Sequence, residues 1–118
     1  MEQIELLGIR IDNLSREMLL DEILRLAREC PRSNVYYANV HTLMTARREI
    51  SVLRAMRTGA LVFCDGFGVK WGARVLGNRL RARATPPDWI DDLLERATRL
   101  GLAVFLLGDE DGVAERCA

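Results

Sequence analysis

The sequence predicts an α/β domain built on a short parallel sheet. Three observations carry that expectation. Ala60–Cys64 and Ala103–Leu107 are continuous apolar runs, as in strands covered on both faces. Around them, apolar residues recur at helical spacing. From residue 35 onward strand and helix alternate, the order of a parallel sheet with right-handed crossovers.

The elements follow in order. Ile4 to Ile11 has short alternating apolar stretches on either side of Gly8, which predicts a small β-hairpin or a bent strand. Ser15 is a good N-cap, with Glu17 in the first turn. Leu19, Leu20, Ile23, Leu26, Ala27 and Cys30 then mark an amphipathic helix to about Glu29, ended by Pro31. Val35–Ala38 reads as a short buried strand that Asn39 closes. Helices are expected over Val40–Arg48 and Ser51–Arg57, the second stopped by Gly59. After the Ala60–Cys64 strand, Asp65–Gly68 forms a turn and a helix runs from about Val69 to Leu76. Arg79 to Pro87 is irregular and basic. A helix opens at Pro87-Asp88 and runs to Leu100. Ala103–Leu107 is the second fully buried strand, followed by a turn over Gly108–Gly112 and the start of a helix at Val113.

The expected architecture is a single domain over residues 1–118: a parallel-sheet, Rossmann-like, three-layer domain with a small N-terminal hairpin. It is incomplete, because three core strands fall short of the five or six usual in doubly wound sheets. Its last strand would be an exposed apolar edge, which predicts either a longer protein or pairing with another chain.

The totals narrow the function classes. The 118 residues carry 17 Lys plus Arg against 17 Asp plus Glu, so charge gives no reason to expect nucleic acid as a partner. The three cysteines are far apart and lack C-x-x-C spacing, which argues against a disulfide framework or zinc site and for a reducing compartment. No apolar run approaches the roughly 20 residues of a membrane span. No signal peptide is visible, so a cytoplasmic protein is expected. Asn13-Leu14-Ser15 matches a glycosylation acceptor and reads better as a helix start.

Ligands of open α/β sheets bind beyond the carboxyl ends of the strands. Three segments fall there: Asn39–Thr42, Asp65–Gly68 and Gly108–Asp111. The second is the most informative. An acidic residue directly after a buried strand, followed by Gly-x-Gly into a helix, puts a carboxylate in the cleft and lets backbone approach a ligand. The competing reading is that Asp65 only caps the helix and Gly66 and Gly68 only serve the turn. It is not a dinucleotide fingerprint, since the next glycine is Gly72, and no Gly-Lys-Thr follows for a P-loop. Asn39 can bind a ligand or cap the next helix, and capping is commoner. His41 suits a general base, although a histidine in a first helical turn is usually structural. Arg79, Arg81 and Arg83 alternate and would face one side if extended, which suits a diphosphate or a solvated loop. Trp71 and Trp89 fit core packing better than stacking on a ligand. Asp109-Glu110-Asp111 reads as D-x-D, a metal and diphosphate motif in some transferases, or as acidic residues favoured at a helix start.

The ordered set resembles one family. Asn39-Val40-His41-Thr42-Leu43-Met44, Ala60 to Val69, Arg83 to Asp88, and Val104-Phe105-Leu106-Leu107-Gly108 with Gly112-Val113-Ala114-Glu115 are similar to the TagA/WecG/CpsF glycosyltransferases. The resemblance implies an inverting, metal-independent transfer with no cofactor, from a UDP-sugar such as UDP-N-acetylmannosamine to a polyprenyl-diphosphate-linked acceptor. The setting implied is bacterial cell-surface polysaccharide synthesis, teichoic acid or exopolysaccharide among them. It puts the catalytic base on Asp65. It puts substrate contacts on Asn39, Gly66, Gly68, Arg83 and Asp88, and makes the D-x-D incidental. Tyr37 stands where the family commonly has a threonine lining the site. Thr85-Pro86-Pro87-Asp88 replaces a segment that normally contains a glycine. Family members are considerably longer, and membrane contact at the inner face is implied for the full-length enzymes only. Homo-oligomerisation is left open. The alternative is a catalytically inactive domain that binds a nucleotide sugar weakly or acts only as an interaction module.

Overall fold

The computed structural model describes residues 1–30, 32–81 and 84–118. Strands β1 (Gln3–Leu6) and β2 (Ile9–Asp12) form the antiparallel hairpin, with Leu6 opposite Ile9. Its two-residue turn holds Leu7 and Gly8 at φ 52° and 76°, the left-handed conformation of tight hairpins. Helix α1 (Arg16–Glu29) starts where Ser15 accepts a hydrogen bond from the Met18 amide at 3.3 Å. Then come β3 (Val35–Ala38), α2 (Val40–Arg48), α3 (Ile50–Thr58), β4 (Leu61–Cys64) and α4 (Phe67–Val75). A 3₁₀ turn over Pro86–Asp88 leads into α5 (Ile90–Arg99), and α6 (Val113–Cys117) is last. Among the described residues no helix is long and apolar enough to cross a membrane.

β3 and β4 pair in parallel, Val35 with Leu61 through Ala38 with Cys64. Side-chain alternation in β4 divides the core in two. Val62 and Cys64 face the hairpin, α2, α3 and α4 through Ile9, Ile11, Leu43, Ala46, Met56, Val69 and Ala73. Leu61 and Phe63 face α1 and α5 through Leu19, Leu20, Leu26 and Trp89. Helices thus cover both faces of the sheet, the expected three-layer α/β arrangement. Each fully buried aliphatic side chain in these clusters contributes about 1.5–3 kcal/mol of transfer free energy.

Asp12 and Asn13 are both 2% exposed, and they fasten the hairpin to the rest. Asp12 accepts from the Val62 amide and from Gln3 Nε2, each at 2.8 Å. Asn13 donates to the Arg79 carbonyl at 2.8 Å and accepts from the Arg81 amide at 2.6 Å. Its amide is therefore structural, which removes the glycosylation reading. On the opposite face, Arg96 of α5 pairs with Glu17 and Asp21 of α1 at 2.6 and 3.1 Å, and Arg16 pairs with Asp92.

Three expectations need correction. The described residues contain two parallel core strands, not three. Ala103–Leu107 joins no sheet, and Val104, Phe105 and Leu107 are 52%, 88% and 89% exposed. After Leu107 the chain turns back on α6 so closely that a Cβ on Gly108 would lie 2.8 Å from Ala114 Cβ. An apolar composition suits a strand but does not choose its partner. Second, β3 is an edge strand rather than a fully buried one, and Tyr37 is 45% exposed. Third, Trp71 is 69% exposed, because it lies one turn after Phe67 on the side of α4 opposite Val69 and Ala73. Pro31, the expected stop of α1, lies outside the described residues.

Candidate active site

Parallel pairing brings the carboxyl ends of β3 and β4 side by side, and with them Asn39 and Asp65. The Asp65 amide donates to the Ala38 carbonyl at 3.0 Å. This bond extends the ladder one residue beyond the strand and fixes the backbone that carries the carboxylate. Asp65 is half-buried, at the mouth of the sheet rather than in its core.

Asn39 begins α2 through a reciprocal cap. Its Oδ1 accepts from the Thr42 amide at 2.8 Å, and its own amide donates to Thr42 Oγ1 at 2.9 Å. The two bonds satisfy otherwise orphaned groups of the first turn. The commoner fate, capping, is thus the observed one. It uses Oδ1 and backbone, while the side chain's donor, Nδ2, takes no part in the box.

The glycines after Asp65 have different structural reasons. Gly66 has φ 117° and ψ 151°, a region that is nearly glycine-only. A Cβ there would sit 3.7 Å from Asn39 Cβ, an ordinary contact. Backbone conformation, not crowding, therefore selects glycine, and residue 66 lies against Asn39. At Gly68 the reason is crowding, since a Cβ would lie 2.4 Å from Val40 Cγ2. The first turns of α2 and α4 touch there. Asp65 does not serve as the N-cap of α4, whose cap position is Gly66 and has no side-chain hydrogen bond.

The segment before α5 reaches the same end of β4. The Ala84 amide donates to the Cys64 carbonyl at 3.0 Å, one residue before Asp65. Arg83 lies outside the described residues. Asp88 is exposed in the 3₁₀ turn. Its neighbour Trp89 is buried edge-on against Phe63, with ring centroids 5.8 Å apart. Tyr37 lies on the same side as Phe63, at 6.4 Å between centroids.

Of the other candidates, Arg81 pairs with Glu2 at 3.5 Å, next to the hairpin. His41 is exposed in the first turn of α2. Asp109, Glu110 and Asp111 are exposed in the turn before α6. Among the described residues, no three His, Cys, Asp or Glu side chains come together as a metal site. The sequence reading missed Asp12 and Asn13, which hold the edge of β4 and the start of the basic segment. Their one visible signal was a pair of polar residues at the end of an alternating strand.

No protein of curated function matches the chain. The model of the Glycosyl transferase WecG/TagA/CpsF family matches residues 4–118. With that match over nearly its whole length, the chain belongs to this family of glycosyltransferases, which act in cell-surface polysaccharide synthesis.

Proposed function

We propose that the chain, as one domain over residues 1–118, transfers a hexose of the N-acetylmannosamine type. The donor is a UDP-sugar and the acceptor a polyprenyl-diphosphate-linked sugar at the cytoplasmic side of the membrane. The reaction is a metal-independent displacement with inversion. The acceptor oxygen forms a bond to the anomeric carbon as the bond to UDP breaks. Asp65 takes the acceptor hydroxyl proton, and UDP leaves with the bonding electron pair.

The observation that carries the reading is the Asp65 amide bond to the Ala38 carbonyl, which holds a half-buried carboxylate beside Asn39 at the paired strand ends. In this reading Asn39 Nδ2 donates to the sugar or diphosphate. Gly66 and Gly68 keep the approach clear of side chains, and Arg83 neutralises diphosphate charge. Asp88 contacts a sugar hydroxyl, and Tyr37 lines the acceptor side. The D-x-D at Asp109–Asp111 takes no part.

The test is transfer from UDP-sugars to a synthetic lipid-diphosphate acceptor, with and without chelator. Asp65→Asn is expected to lower kcat by about 10²–10⁴-fold, the usual range for a lost general base, with donor binding retained. Chelator is expected to change nothing. Manganese-dependent turnover that survives Asp65→Asn would sink the proposal.

A second reading, weak nucleotide-sugar binding without turnover, is favoured by one observation. Among the described residues Ala103–Leu107 is unpaired and no third strand stands beside the strand ends. Calorimetric binding of UDP-sugar without turnover of any acceptor would select it.

A further inference from the structure

Two features of the chain complement each other. The first is the outer edge of β3. β3 and β4 form a two-stranded sheet, and the far edge of β4 is occupied at Val62 by Asp12 and at Cys64 by Ala84. The Ala38 carbonyl accepts from Asp65. By alternation, Tyr36 and Ala38 direct their backbone groups to β4, and Val35 and Tyr37 direct theirs outward; there the Tyr37 carbonyl accepts from Thr42 Oγ1 at 3.3 Å, which leaves it one lone pair for an added strand. Along that outer edge runs a hollow of about 320 Å³ lined by Val35, Tyr36, Tyr37, Thr42, Val52, Ala55 and Met56. All of these but Thr42 are apolar or aromatic.

The second feature is Ala103–Leu107, an apolar run with the composition of a strand, unpaired among the described residues. Phe105 and Leu107 are 88% and 89% exposed. Open sheet edges and exposed strand-forming segments are sites where chains join.

We propose that two copies of the chain exchange these features. Residues 103–107 of one copy add as a strand to β3 of the other, and their apolar side chains fill the hollow beside Val35, Tyr37 and Val52. A second copy is the occupant because edge and strand occur on one chain in equal number. Reciprocal exchange then satisfies both and closes into a two-fold dimer. The hollow is lined by Tyr37, which the proposed reaction places on the acceptor side, and not by Asp65.

Light scattering across a dilution series tests it first. A dimer is expected, and Phe105→Asp with Leu107→Asp is expected to weaken it at least about tenfold. Both side chains are exposed in the monomer, so far-UV dichroism and the fold of that variant stay unchanged. The contact is then mapped after replacing the exposed Cys30 and Cys117 with serine. Copies carrying Tyr37→Cys are mixed with copies carrying Phe105→Cys. Each lies near the middle of its segment and belongs to the proposed seam. A disulfide-linked dimer is expected from the mixture and not from either variant alone. A monomer at every concentration would overturn the exchange. So would a dimer indifferent to the Asp substitutions, or a disulfide formed within one chain carrying both cysteines.

Discussion

Gly66→Ala isolates backbone strain at the candidate site from every other effect. The added Cβ meets only Asn39 Cβ, at 3.7 Å, so no crowding is involved. What remains is φ 117° with ψ 151°, a conformation that costs a non-glycine residue about 1–3 kcal/mol. Unfolding entropy of about 2.1 cal/mol/K per residue over 118 residues converts each kcal/mol to about 4 °C. The expected fall in Tm is therefore about 4–12 °C. Gly72→Ala is the internal control. It lies within α4, and a Cβ there meets nothing within 4 Å. That change is expected to stabilise by about 0.5–1 kcal/mol through helix propensity. Parallel urea and thermal melts of both variants give the measurement, and the two should move in opposite directions. If Gly66→Ala melts with the wild type, the backbone at the site is not held as described. The inference that this geometry positions Asp65 would then fail with it.

Three further outcomes follow from the packing and the ion pairs. Asp12→Ala strands the Val62 amide and releases Gln3, and should cost about 2–4 kcal/mol in a urea melt. An unchanged midpoint would show that the hairpin is not fastened through this carboxylate. Trp89→Ala removes the ring packed edge-on to Phe63 and should cost about 3–5 kcal/mol, read by the same melts. Glu17 titrates below the ordinary glutamate value of 4.5, chiefly because Arg96 hydrogen-bonds and pairs with it. A depressed folded pKa contributes stability that is present above the unfolded pKa and lost as pH falls through the folded one. Carboxyl NMR should therefore find the Glu17 midpoint below 4.5, with a return toward that value in Arg96→Gln. An unshifted midpoint in the wild type would refute the pairing.

The sequence by itself determined the local elements and the position of the candidate base. Ser15 capping, the Gly8 hairpin, the bounds of β3 and α2 and the stop at Gly59 depend on residues a few positions apart. Such short-range preferences act before any tertiary contact forms. The ordered set of segments from Asn39 to Glu115, taken together, also indicated the family that the matched model bears out. Tertiary structure decided what depends on partners distant in the chain. Asp12 and Asn13 reach residues 50 and 68 positions away, so nothing local announces their role. Trp71 and Trp89 are alike in sequence terms, yet one is exposed and the other buried beneath Phe63. The run at 103–107 has the same apolar character as 60–64, and only one of them forms a ladder. A strand is stable only where another strand offers its edge, and composition does not carry that information.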